Sequence, residues 1–160
     1  MTEVFGRIIS NIRSGSSAAH SYIVEVQPGE GRAAVIKEMC TAILCEHPLA
    51  DGSACGRCPS CRQIAAGSCL DVIRMERSGK TAYVVEDASS FMSRIGMGAY
   101  GKRIIGVIED AEMLSDTVQN KLLKTLEEPE EGVIILLMVS SADKLLSAVR
   151  SRCFKLRAED

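Results

Sequence analysis

Cys45, Cys55, Cys58 and Cys61 stand in a C-x9-C-x2-C-x2-C pattern. Tetrahedral zinc takes four soft ligands at about 2.3 Å, and cysteines two residues apart can reach one ion from a single turn. Gly52, Gly56 and Pro59 supply the sharp bends that bring the loop back on itself. Four thiolates leave no coordination position for water or substrate, so the zinc expected here is structural and not catalytic. Free buried thiols are the competing reading, disfavoured by this spacing in so polar a loop. His47 lies within the loop, as a substitute or fifth ligand or as a solvated side chain. Cys40, on a helix, and Cys69, ahead of a strand, read as packing residues.

A second group of residues concerns phosphate. A P-loop follows a strand and opens a helix as G-x-x-x-x-G-K-[ST]: its amides cradle phosphates, Lys neutralises the β and γ charges and the hydroxyl binds magnesium. Here the strand-turn-helix context is present but the letters differ. Val26 takes the first glycine position, Gly29 and Gly31 fall later in the turn, Arg32 replaces the lysine and Ala33 replaces Ser/Thr. The lost hydroxyl removes a magnesium ligand, and Arg brings a wide planar group where a compact ammonium is wanted. Glu109-Asp110, after an apolar run, stand where such folds hold magnesium and poise water, in reversed order. Reversal misplaces each carboxylate by about one methylene, which is damaging where geometry carries catalysis. Taken singly, the turn also reads as a plain surface turn and the acidic pair as a solvated strand end.

The elements that must position these residues follow from periodicity. Val4, Ile8, Ile9 and Ile12 predict an amphipathic helix closed at Ser14-Gly15. A strand at Tyr22–Val26 leads into the tight turn Gln27-Pro28-Gly29-Glu30-Gly31, and Ala33–Leu44 reads as a helix. The segment Cys45–Cys61 has no regular period, so metal and not secondary structure is expected to hold it. Leu70–Met75 reads as a strand and Glu86–Met97 as a helix. Arg103–Ile108 and Val133–Val139 are apolar runs of strand length, buried on two faces. Ser115-Asp116-Thr117 opens a helix through Leu126 that Pro129 stops, and a short helix at Leu145–Val149 precedes a strand at Cys153–Leu156. This alternation predicts right-handed βαβ units and an α/β domain with a parallel sheet covered on both faces.

With 160 residues, one core is expected. A net charge of −2 gives no electrostatic case for a DNA-binding surface, so nucleic-acid contact is expected through partners or a local patch such as Arg150, Arg152, Lys155 and Arg157. No apolar run approaches the roughly 20 residues of a membrane span, and Met1-Thr2-Glu3-Val4 lacks a signal pattern, so a cytoplasmic protein is expected. His20 and His47 have no evident partners for hydrolase chemistry, and Met75, Met92, Met97, Met113 and Met138 read as core fillers.

Four stretches together resemble one family. They are His20-Ser21-Tyr22-Ile23, the cysteine cluster, Leu122-Leu123-Lys124-Thr125-Leu126-Glu127-Glu128-Pro129 and Ser151-Arg152-Cys153. This set is similar to the bacterial DNA polymerase III clamp-loader subunits of the AAA+ superfamily, from about Val4 to Leu156. The resemblance implies an AAA+ P-loop NTPase-type sheet with an inserted zinc module at about residues 45–63, whose lid and collar domains find no room in this chain. Val26, Arg32, Ala33 and the Glu109-Asp110 order resemble the delta-prime branch, whose nucleotide site is degraded, more than the gamma/tau branch. It further implies that Arg152 acts in trans as an arginine finger on ATP held by a neighbouring subunit, with Arg150 the nearby competitor. Expected partners are gamma/tau and delta subunits, and through them the sliding clamp and primer-template DNA, with structural Zn2+ and no productive ATP. The rival reading is a gamma/tau-like ATPase with a divergent but active site. A zinc-ribbon nucleic-acid adaptor is a third, which the acidic balance disfavours.

Overall fold

A computed structural model of the chain describes residues 3–15 and 19–158. Met1-Thr2 and the side chain of Val4, both part of the sequence reading, lie outside what is described. In chain order the elements are α1 Glu3–Ser14, β1 Ser21–Glu25, α2 Glu30–Leu44, α3 Pro59–Ala66, β2 Val72–Arg74, α4 Val85–Ile95, β3 Ile104–Ile108, α5 Asp116–Glu127, β4 Val133–Val139, α6 Ser147–Arg150 and β5 Phe154–Arg157. Short 3-10 turns occupy Ala111–Met113 and Ala142–Lys144. The strands form one parallel sheet in the order β2-β3-β4-β1-β5.

Strand side chains alternate between faces, and the core divides accordingly. Ile23, Ile135 and Leu137 meet Phe91, Ile95, Leu122 and Leu126 of α4 and α5 on one face. Tyr22, Val24, Leu136 and Met138 meet Phe5, Ile9, Ile36 and Met39 of α1 and α2 on the other. Every residue of β3 and β4 is buried, as the two apolar runs predict. Gly106 in β3 has no room for a side chain, because a Cβ would stand 2.6 Å from Phe91 Cζ.

Helix ends are set locally. Ser115 caps α5 by accepting from the Val118 amide, a side-chain bond that satisfies one of the free N–H groups of the first turn. Gly67 closes α3 in the left-handed region, at φ 73°. Gly29 precedes α2 at φ 121°, which a residue with a Cβ rarely adopts.

Several elements differ from the sequence reading. Helix α2 begins at Glu30 and not at Ala33, so Glu30 and Gly31 are helical instead of part of the turn, and Arg32 lies in the first turn of the helix. Helix α3 was not expected; the Cys-rich segment supplies its N-cap in Cys58 and a first-turn Pro59, a start signal masked by the metal spacing. Strand β2 is three residues long, and β5 starts after Cys153.

Candidate functional site

The metal-type cluster sits where two helices meet. Cys45 closes α2, Cys58 caps α3 and Cys61 lies in the first turn of α3, while Cys55 comes from the loop between them. The four Sγ atoms lie within 4.8 Å of one another, with Cys55 and Cys61 at 4.0 Å. A tetrahedron with bonds of about 2.3 Å has edges of about 3.8 Å, so the four sulfurs need little movement to close on one ion. Backbone amides point at the sulfurs: Cys55 N donates to Cys45 Sγ at 3.2 Å, Cys58 N to Cys55 Sγ at 3.2 Å and Glu46 N to Cys58 Sγ at 3.5 Å. Donors of this kind favour the thiolate form that a metal requires. The Arg57 and Cys58 amides bring the Cys55 thiol down to about 6. Burial, reinforced by the Cys58 sulfur, pushes Cys61 up to about 12.

The remaining sulfur and imidazole candidates stand apart. His47 is exposed and outside the group of four. Burial pushes Cys40 and Cys153 up to about 12, which fits neutral packing thiols.

At the C-terminal ends of β1 and β3 the structure brings Arg32, Glu109 and Asp110 together. Arg32 is 3% exposed. Its Nε and Nη2 donate to the Val26 carbonyl at 3.2 and 2.7 Å. Its Nη1 donates to the Glu109 carbonyl at 2.8 Å and to Asp110 Oδ1 at 3.2 Å. Nη1 and Nη2 also grip the two oxygens of Glu112 at 2.5 and 3.1 Å, a two-pronged pairing that suits a planar guanidinium. Asp110 Oδ2 is shared with Arg77 at 3.2 Å, and the Glu109 carboxylate is paired with Arg74. Three guanidiniums therefore meet three carboxylates.

Burial pushes the Glu112 carboxyl up, but the hydrogen bonds from Arg32 and from the Ser140 amide outweigh it and hold Glu112 below its ordinary range. Gly29 and Gly31 flank this network at the start of α2, and Gly31 lines a cavity of about 620 Å3 with Glu25, Val26, Ser140 and Arg157. Sequence reasoning missed Glu112, Arg74 and Arg77. The signal available was Glu112 two residues after Asp110, offering buried countercharge to an arginine in a lysine's position.

Arg152 stands apart from this network. Its Nη1 donates to the Ala148 carbonyl at 2.8 Å and its Nε meets Glu127 Oε2 at 3.3 Å, at the end of α5. Arg150 pairs with the exposed Asp143 at 3.3 Å.

Comparison with known proteins gives the context for these sites. A DNA polymerase III subunit delta' from Pseudomonas aeruginosa is 32% identical over 148 residues, covering 90% of this chain and 44% of that protein. A DNA polymerase III subunit tau from Escherichia coli is 33% identical over 144 residues, covering 88% of this chain and 22% of that protein. The chain thus spans less than half the length of these curated relatives. In fold it is similar to a solved DNA polymerase III gamma subunit-related protein from Thermotoga maritima, with TM-score 0.71, 19% identity and coverage of 99% of this chain and 45% of that one. That likeness bears out the AAA+ sheet expected from the sequence. A family model described as DNA polymerase III, delta subunit matches residues 2–160. With delta' subunits among its relatives, the chain belongs to this DNA polymerase III subunit family.

Proposed function

We propose that the chain is a non-catalytic member of the clamp loader, which helps place the sliding clamp on primed DNA without hydrolysing ATP itself. The observation that carries this reading is Arg32. Its five N–H groups are all directed at protein acceptors, so none is left for a phosphate oxygen. The carboxylates in the magnesium position are likewise held by arginines. A nucleotide entering here must break a buried ion-pair network and repel its carboxylates, without the backbone loop that cradles phosphate.

We infer the rest of the reading from the cysteine geometry and from the family. Residues 1–160 form an AAA+ first domain in which about 45–63 are an inserted zinc module. The Zn2+ is structural, held by Cys45, Cys55, Cys58 and Cys61. Arg152 is offered in trans to ATP on a gamma/tau neighbour, and leaves Glu127 to do so. Gamma/tau and delta subunits are the direct partners, and such an assembly works in the cytoplasm.

Calorimetric titration with ATP and magnesium tests the proposal, using the parent beside an Arg32→Lys/Ala33→Thr double variant. No heat from the parent is expected, with binding gained by the variant. Micromolar binding by the parent overturns it. The 33% identity to a tau subunit favours a second reading, an active gamma/tau-like ATPase. Magnesium-dependent turnover by the parent, lost in Glu109→Ala, selects that reading.

A further inference from the structure

We propose that Arg13, in the last turn of α1, is a positioning residue of the four-cysteine metal centre, tying its loop to α1 and α2 and setting a fixed positive charge beside the thiolates. This rests on the zinc reading above. Arg13 is remote in sequence from the cysteine segment, yet its Nη1 donates to the carbonyl of Gly52, inside the metal loop, at 2.7 Å. Its Nε donates to the carbonyl of Ala42, in the last turn of α2, at 2.6 Å. One planar group thus joins the helix that ends at Cys45 to the bend that returns the chain to Cys55. Arg13 is held in turn, since Arg103 Nη2 donates to its carbonyl at 2.5 Å.

The third nitrogen, Nη2, is buried without a hydrogen-bond partner. A buried guanidinium nitrogen lacking an acceptor is costly unless negative charge lies near. Burial and the neighbouring Arg103 oppose the charge on Arg13, whereas Cys45 and Cys61 in their thiolate forms sustain it through space. Four thiolates outweigh one divalent cation, so the loaded centre is an anion in a partly buried place. Arg57 and Arg62, the arginines within the module itself, are exposed to water. Arg13 brings its charge to bear on the centre from the body of the domain, and it serves as an outer partner that orients the loop and tunes a metal.

Zinc affinity of the full chain, measured by competition with a chromophoric chelator, decides this. Arg13→Ala is expected to weaken zinc binding by about 10- to 100-fold, while Arg62→Ala stays within about twofold because its charge is already screened by water. Arg13→Lys, which keeps the charge but cannot span two carbonyls, recovers part of the loss. With Co2+ in place of zinc, the thiolate-to-metal absorption band shifts in Arg13→Ala, a local signature that general destabilisation does not produce. An Arg13→Ala affinity within twofold of the parent, with an unmoved band, overturns the proposal. Should Arg13→Ala fail to fold, Arg13→Lys is judged by the same criterion. A parent that takes up no stoichiometric zinc sinks the zinc reading itself, and this inference with it, whereas a zinc-binding parent indifferent to Arg13 sinks the inference alone.

Discussion

At the scale of single residues, the arginine at position 32 does what a lysine could not. A planar fork satisfies two oxygens of one carboxylate and a carbonyl together, which a single ammonium cannot do. Glu112 is the partner most dependent on it, with its side chain 15% exposed. Because its folded-state ionisation lies below the ordinary carboxylate range, Glu112 contributes stability that is full above that range and is lost as pH falls through the depressed value. Glu112→Gln is therefore expected to flatten the acid limb of stability below about pH 4.5, and to lower stability at neutral pH by about 1–3 kcal/mol, because Arg32 keeps Asp110 as its remaining countercharge. Urea unfolding across pH checks both; an unchanged acid limb refutes the role. Arg32 and the acidic pair were legible in the sequence as departures from a motif. Glu112 offered only its place two residues after Asp110, and nothing in the chain's periodicity says that position 112 turns inward after β3.

Among the elements, strands were the most readable, since β3 and β4 are unbroken apolar runs that need cover on both faces. Helix α3 was the least readable. It has eight residues, too few to be stable in isolation, and two of them are the metal-type ligand Cys61 and Pro59. Such a helix owes its existence to what closes its N-terminus. Removing zinc with a strong chelator is thus expected to melt α3 first, and then to lower the melting temperature of the whole domain. Hydrogen exchange followed by thermal unfolding checks this order. A melting curve and α3 amides indifferent to chelation contradict the metal's structural role.

On the scale of the whole molecule, the role proposed for Arg152 lies in a neighbour's ATP chemistry. Arg152 is held to Ala148 and Glu127 by two contacts that a competing phosphate can replace. In a reconstituted loader, Arg152→Ala is expected to cut the ATPase rate of the adjoining subunit by about 10^3-fold or more, with assembly intact by gel filtration; Arg150→Ala changes it little. Equal rates for Arg152→Ala and the parent remove the finger from the mechanism. Helix α2 also runs between the two sites of this chain, fixed by the Arg32 network at its start and by Cys45 at its end. At about 1.5 Å per residue, its 15 residues make a strut roughly 22 Å long. A strut held at both ends resists pivoting, so a displacement of the cysteine loop is carried along its length to the Arg32 network instead of being lost in bending at either end.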